Sequence, residues 1–255
     1  MLAVERRGRV LVATLARPQV NAIDAELLAR LDAAVTEAEA DAAISLLHLR
    51  SAQKAFCAGA DLALIRASMG SPGGAETMVG VVREMQRVFA RLASAPFVTL
   101  AEIGGAALGG GLELALACDL RVAACEATLG LPEVRLGLLP AAGGTQRLTA
   151  LCGAALARRL ILGGETVDGG EALHLGLVQW ARPAALLSEW TAMLAQRIAA
   201  HPREALAASK RCIALAAPGS QTGFDAEIAA TRALYASPQT QARVTAFLDR
   251  PRSAA

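Results

Sequence analysis

The sequence predicts an α/β core followed by a helical C-terminal region. Short β-rich runs alternate with amphipathic helical segments early in the chain, whereas the pattern is helical throughout from Pro183 onward. Glycine-rich turns separate many of these segments, as tight strand-to-helix connections require. No low-complexity linker divides the chain into independent domains.

Composition restricts the class of protein. Apolar residues make up 54% and charged residues 19% of the chain, which is typical of a compact protein and argues against disorder. The net charge of +2 gives no reason to expect nucleic acid or an anionic membrane as partner. No stretch approaches the roughly 18 apolar residues of a membrane span, and Met1–Arg9 lacks the apolar segment of a signal peptide.

The cysteines and histidines indicate neither a metal site nor a disulfide framework. The five cysteines are odd in number and include no CxxC pair, and the three histidines are scattered without ligand spacing. Reduced thiols of this kind are typical of a cytoplasmic protein. We therefore expect no bound metal and a cytoplasmic location.

The first elements are predicted from local signals. Val10–Leu15 is a β-rich run, Asp24 stands where an N-cap belongs, and Ala25–Ala40 has helical apolar spacing. Ile44–Arg50 is a second predicted strand, and the polar loop Ser51–Lys54 follows it. These signals predict a strand, a helix and a further strand in succession.

The later elements follow the same logic. Gly70–Gly74 predicts a mobile surface loop, Thr77–Leu92 a helix, and the apolar run Phe97–Ile103 a strand buried on both faces. Further strands are predicted at Leu120–Ala124, Thr128–Leu131 and Leu177–Trp180, and further helices at residues 184–200, 202–216, 224–236 and 240–249.

The glycine-rich segment 104–111 favours a site that receives an oxygen atom. It lacks the Lys-Ser/Thr of a P-loop and the spacing of a dinucleotide fingerprint. It does offer a turn and a helix N-terminus, whose unpaired N–H groups suit an oxyanion or a carbonyl oxygen. A tightly packed strand-to-helix turn with no ligand is the alternative interpretation.

Two glutamates near glycine-rich turns are candidates for acid–base chemistry. Glu113 stands among leucines, where burial would raise its pKa, and Glu133 follows Pro132, a residue favoured at the first helical position. Each glutamate taken alone is better explained as an acidic residue that complements a helix N-terminus, whereas two of them beside glycine-rich turns favour a paired site. The residues by themselves do not establish that the two carboxylates converge.

A second loop, residues 58–62, also leads into a helix and offers an N–H group. Asp61 is predicted to cap that helix. Cys57 is a conceivable nucleophile, but no histidine lies near it in sequence, so a quiet loop thiol is the preferred interpretation.

Taken together, several segments of the chain resemble the enoyl-CoA hydratase/isomerase (crotonase) superfamily. They fall in that family's order and spacing, and the resemblance extends from about residue 4 to about residue 250. The segments are Arg17–Ala22, Phe56–Leu62, Ala107–Leu114, Ala117–Asp119, Leu131–Gly137 and Leu139–Leu148.

The resemblance implies a fold and an assembly. The family fold is a crotonase-like spiral of ββα units, which corresponds here to residues 1–195. Helices at the C-terminus, here residues 196–255, form the trimerisation region, so a homotrimer or a homohexamer is implied. The implied substrate is an acyl-CoA thioester, with coenzyme A as part of the substrate and no separate cofactor.

The resemblance also implies the site residues. The backbone N–H groups of Ala60 and Gly110 would form an oxyanion hole for the thioester carbonyl. Glu113 would deprotonate the water that attacks C3 of a 2-enoyl-CoA, and Glu133 would deliver a proton to C2. The implied substrate-binding residues are Ala22, Ala58, Asp61, Leu62, Ala63 and Gly109.

Both glutamates favour an enoyl-CoA hydratase among the family's reactions. An enoyl-CoA isomerase or another crotonase-type lyase is an alternative that would keep the oxyanion hole and make one glutamate dispensable. A non-catalytic RNA-binding or scaffold protein is the alternative of another class. The chain departs from the family pattern at Gly104-Gly105 and at Pro238–Arg243, and the length of the acyl chain stays open.

Overall fold

A computed structural model describes residues 1–68, 71–216 and scattered residues between 222 and 243. It contains two sheets and a set of helices. In chain order the elements are β1 (Leu2–Arg7), β2 (Val10–Leu15), α1 (Ala25–Ala40), β3 (Leu46–Ser51), α2 (Leu62–Ser68), α3 (Gly74–Ser94), β4 (Val98–Ile103), β5 (Ala107–Leu108), α4 (Gly110–Leu116), β6 (Leu120–Ala124), β7 (Thr128–Gly130), a 3-10 helix (Glu133–Leu136), α5 (Gly144–Leu162), β8 (Thr166–Asp168), α6 (Gly169–His174), β9 (Trp180–Arg182), α7 (Ala184–Ala199) and α8 (Arg203–Ala214).

The larger sheet has the strand order β1-β2-β3-β4-β6-β9. β1 is antiparallel to β2, and every other neighbouring pair is parallel. Parallel strands need a crossover between them, and α1, α3 and α6 lie in the connections. The smaller sheet has the order β5-β7-β8, so the glycine-rich segment 104–111 contributes a strand as well as a helix N-terminus.

The first helix shows how local signals determine an element. Asp24 is the N-cap of α1, and its carboxylate accepts a hydrogen bond from the Leu27 N–H over 2.8 Å. Leu28, Leu31 and Val35 lie on the same face of the helix and are buried. The predicted bounds and the predicted cap of this helix are both confirmed.

The core lies on both sides of the larger sheet. Every residue of β4 is buried, which confirms the expectation for Phe97–Ile103, and α7 packs against β2, β3, β4 and β6. Leu187 and Leu194 of α7 are among its buried side chains. The parallel strands are therefore covered by helices, as buried parallel sheets require.

Some predicted elements differ from the structure. β1 was not predicted, because five of its six residues are exposed and it belongs to the fold only through pairing with β2. The strand predicted at Leu177–Trp180 is instead β9 at Trp180–Arg182, since Leu177 and Val178 are buried in the turn before it. The helices predicted at 224–236 and 240–249 lie largely outside the described residues, as does part of the predicted loop Gly70–Gly74.

Among the residues that the structure describes, we find no helix with the length and apolarity needed to cross a membrane.

Candidate active site

In the loop after β3, the N–H group of Ala60 makes no hydrogen bond to any described residue. Ile23 pairs with this loop in parallel fashion: its N–H donates to the Gly59 carbonyl over 2.8 Å, and its carbonyl accepts from the Asp61 N–H over 3.1 Å. This pairing uses the groups on either side of Ala60. Within the described residues, no hydrogen bond uses the N–H of Ala60.

The start of α4 places a second free N–H beside the first. Gly109 precedes the helix with φ 52° and ψ −126°, a conformation open to glycine and strained for other residues. Gly110 is the first helical residue, and no hydrogen bond among the described residues uses its N–H either. A Cβ atom on Gly110 would lie 3.4 Å from the Ala60 nitrogen, so the two amides belong to adjoining backbones.

Glu113 lies one turn inside α4 and is only 3% exposed. Its Oε1 accepts a hydrogen bond from the Gly144 N–H at the start of α5 over 2.7 Å. Burial raises the pKa of this carboxyl to about 7, and the nearby charge of Glu133 acts in the same direction. The Gly144 N–H and the Arg147 guanidinium oppose the rise, so the carboxyl can exchange protons near neutral pH.

Glu133 begins the 3-10 helix directly after Pro132, which is its N-cap. Its carboxylate lies against Gly109, since a Cβ atom there would be 3.0 Å from Glu133 Oε1. Its Oε2 is buried and has no hydrogen-bond partner within the described part of the chain. Burial also raises the pKa of this carboxyl. A buried oxygen without a partner is available for a water or a substrate.

One cavity of about 480 Å³ joins these groups. Ala60, Gly110, Glu113 and Glu133 all line it, together with the predicted residues Ala58 and Gly109. A carboxylate pair and two free backbone N–H groups therefore face the same space. Such a space can hold a carbonyl oxygen at the amides while the acids act on neighbouring atoms.

Three predicted substrate-binding residues are not among the described residues that line this cavity: Ala22, Asp61 and Ala63. The Asp61 carboxylate accepts from the Ala63 N–H over 2.9 Å, which confirms its predicted role as a helix cap. The side chain of Leu62 lies outside the described residues. The substrate-binding roles of these four residues remain predictions.

Arg17 makes ion pairs and a hydrogen bond with the loops next to the site. The sequence analysis did not assign this role. Its guanidinium contacts Asp24 at 3.0 Å and Asp61 at 2.8 Å, and it donates to the Ala22 carbonyl over 2.9 Å. The guanidinium lowers the pKa of Asp61. Arg17 thus ties the segment before α1 to the loop that carries Ala60.

Cys57 and His48 are buried and make contacts within the core. The Cys57 thiol is fully buried, donates to the Asn21 carbonyl over 3.0 Å, and has its pKa raised to about 12 by burial, which agrees with a quiet thiol. His48 is buried in β3, with Nε2 2.9 Å from Glu102 Oε2 on β4. Both residues lie outside the lining of the cavity described above.

The chain matches a known family over nearly its whole length. Residues 5–253 fit the sequence profile described as enoyl-CoA hydratase/isomerase. The chain belongs to this family. The predicted superfamily is therefore confirmed.

Relatives and solved structures of this family cover the chain almost completely. The 2,3-dehydroadipyl-CoA hydratase of Escherichia coli is 35% identical over 98% of this chain and 96% of that protein. The short-chain-enoyl-CoA hydratase of Clostridium acetobutylicum is 32% identical over 97% and 94%. The crystal structure of an enoyl-CoA hydratase from Bacillus anthracis superposes with a TM-score of 0.90 at 32% identity, over 97% of this chain and 96% of that one. The predicted crotonase-like α/β fold is confirmed.

Proposed function

We propose that the protein is an enoyl-CoA hydratase, which adds water across the double bond of a 2-enoyl-CoA to give a 3-hydroxyacyl-CoA. The observation that carries this proposal is the shared cavity, in which Glu113 and Glu133 face the same space as the free N–H groups of Ala60 and Gly110. The names of the full-length relatives support the same activity.

The backbone N–H groups stabilise the charge that develops during the reaction. When water adds to C3, the electrons of the C2=C3 bond move toward the thioester and place negative charge on its oxygen. Donors at Ala60 and Gly110 would hold that oxygen, and one donor of this kind lowers a barrier by about 3–4 kcal/mol. Both donors are main-chain groups, and hydrogen bonds of the neighbouring residues hold the backbone around them in place. The donors therefore need no rearrangement during the step.

Each of the two carboxyl groups carries out one proton transfer. Ionised Glu113 takes a proton from the water whose oxygen bonds to C3, and protonated Glu133 gives its proton to C2. The substrate gains one water in total, and the proton held by Glu113 must return to Glu133 before the next turnover. Burial raises the pKa of both carboxyls, and the charge of Glu133 raises the pKa of Glu113 further, which suits this exchange of protons.

The proposal includes an assembly and a location. We propose that coenzyme A enters as part of the substrate without a separate cofactor, and that residues 196–255 build a homotrimer or a homohexamer on the core of residues 1–195. Large apolar side chains are exposed in this part of the chain, Ile213 at 74% and Ile228 at 63%, which supports a surface that another subunit covers. Five free thiols support a cytoplasmic location.

The test is an assay of purified protein with crotonyl-CoA. Loss of the enoyl thioester absorbance and a product heavier by one water are expected. Glu113→Gln and Glu133→Gln should each slow turnover by about 100-fold or more, because each removes a proton-transfer group. Glu37→Gln, an exposed acid on α1, is the matched control and should keep full activity.

Other outcomes would replace the proposal. Failure to turn over any short or medium enoyl-CoA would count against a hydratase. A product of unchanged mass with a shifted double bond would indicate an isomerase. A salt-sensitive RNA complex without acyl-CoA binding would favour the non-catalytic alternative.

A further inference from the structure

The wall of the cavity away from the acids is apolar. Met78, Val82 and Met85 follow one another at helical spacing along α3 and present one stripe to the cavity. The remainder of this wall comes from α2 and from the segment around the 3-10 helix: Ile65, Leu136, Leu138 and Leu139. We call these seven residues the apolar wall.

Met85 closes the apolar wall next to the proposed oxyanion hole. It is only 3% exposed, and a Cβ atom on Gly110 would lie 3.0 Å from its terminal methyl group. Space for a ligand beyond the reacting atoms therefore lies toward Met78 and Val82, further from Gly110 along the helix.

None of the described residues that line the cavity offers a cation to a charged acyl terminus. Among the described residues that line it, the only titratable side chains are Glu113 and Glu133. Ser68 supplies no free proton, because its hydroxyl donates to the Leu64 and Ile65 carbonyls at 3.1 and 2.8 Å.

We infer that the acyl chain of the substrate ends in hydrocarbon, and that the site discriminates against 2-enoyl-CoAs with a terminal carboxylate. The inference rests on the proposed function, which places the thioester at Ala60 and Gly110. A carboxylate lying against the apolar wall would lose its hydration without gaining a partner, and it would share the cavity with two further acids. A hydrocarbon gains free energy from burial on the same wall.

The test compares two substrates with the same six-carbon chain. trans-2-Hexenoyl-CoA ends in a methyl group, whereas 2,3-dehydroadipyl-CoA ends in a carboxylate. We expect kcat/KM for the hydrocarbon to exceed that for the carboxylate by about 100-fold or more, since an unpaired charge is costly to bury. Calorimetry with saturated hexanoyl-CoA and adipoyl-CoA measures the same preference in binding and needs no turnover.

A charge-insertion variant tests the cause of the preference. Val82→Arg places a cation on the apolar wall and should move the substrate ratio toward the carboxylate by about tenfold or more. Val82→Gln is the uncharged control of comparable length. Val79→Arg is the charge control, because Val79 lies on the same helix, is 39% exposed and is not a described lining residue. Neither control should shift the ratio.

The outcomes separate this inference from the proposed function. Turnover of the carboxylate within about threefold of the hydrocarbon, or equal binding of the two saturated thioesters, would overturn the inference and leave a hydratase in place. Absence of turnover with both of these enoyl-CoAs and with crotonyl-CoA would overturn the proposed function. The binding preference between the two saturated thioesters would then still show whether the site prefers a hydrocarbon or a carboxylate terminus.

Discussion

The N–H of Gly144 donates to Oε1 of Glu113 over 2.7 Å, and the absence of a side chain at Gly144 is what admits the carboxylate. A Cβ atom on Gly144 would stand 2.9 Å from that oxygen and 2.8 Å from the Pro140 Cβ. Gly144, the first residue of α5, therefore positions the carboxylate of Glu113, which belongs to α4. The same N–H favours the ionised carboxyl, which the proposed base requires.

Gly144→Ala should displace the Glu113 carboxylate and reduce activity. We expect kcat to fall by about 100-fold with a smaller change in KM, because a misplaced base affects the chemical step more than binding. Steady-state kinetics with crotonyl-CoA measures both constants. Gly80→Ala is the control, since a Cβ there would meet nothing within 4 Å. Unchanged kinetics in Gly144→Ala would show that the carboxylate does not depend on this contact.

Glu113→Gln should change the pH dependence of stability. The native pKa of Glu113 is about 7 against a usual value of 4.5, so the native state holds a proton that the unfolded state releases between these pH values. Wild-type stability is therefore lost as pH rises from about 4.5 to 7, by up to about 3 kcal/mol from this group. The variant carries no such proton. The difference in free energy of unfolding, variant minus wild type, should therefore increase between pH 5 and pH 8.

Denaturant titrations at several pH values measure this difference. Glu37→Gln is the control, because Glu37 is exposed on α1, and its difference from wild type should be flat with pH. Parallel stability curves for Glu113→Gln and wild type would mean that Glu113 ionises in the native protein as it does in water.

Arg17→Lys should disturb the loop that carries Ala60. Lysine keeps the charge but cannot reach Asp24, Asp61 and the Ala22 carbonyl with one planar group. We expect kcat/KM to fall by about tenfold, the equivalent of one lost charged hydrogen bond. Arg30→Lys is the matched control: its ion pair with Glu26 is exposed with a 3.9 Å separation and should contribute little. Equal effects of the two changes would remove Arg17 from the positioning of the site.

Elements with strong local signals could be predicted closely from the sequence. α1 has a side-chain cap and a regular apolar face, and β2 and β6 are short runs made mainly of Val, Leu and Ala. β1 and β8 have no such signal. Their residues are largely exposed, and they become strands only because β2 and β7 offer them backbone partners.

The candidate site could be predicted only in part. Glu113 and Glu133 were suspected from their neighbours, but their meeting depends on how α4 and the 3-10 helix pack, which residue types do not reveal. The family resemblance supplied that juxtaposition. The contact of Gly144 with Glu113 was missed, because a glycine carries no side chain that would mark it as a site residue. The ion pairs of Arg17 were missed because their partners lie up to 44 positions away.

The proposed oxyanion donors at positions 60 and 110 belong to the peptide backbone, so exchanging one side chain for any other than that of proline does not delete them. Proline alone among the encoded residues lacks the N–H, and its ring also fixes the backbone, which makes it a costly replacement at either position. The acids at 113 and 133 have no such protection, and a single codon change can eliminate each. Descendants of this chain can therefore lose the hydratase activity while they still bind a thioester oxygen. Such proteins keep a site in which new acyl-CoA reactions can evolve.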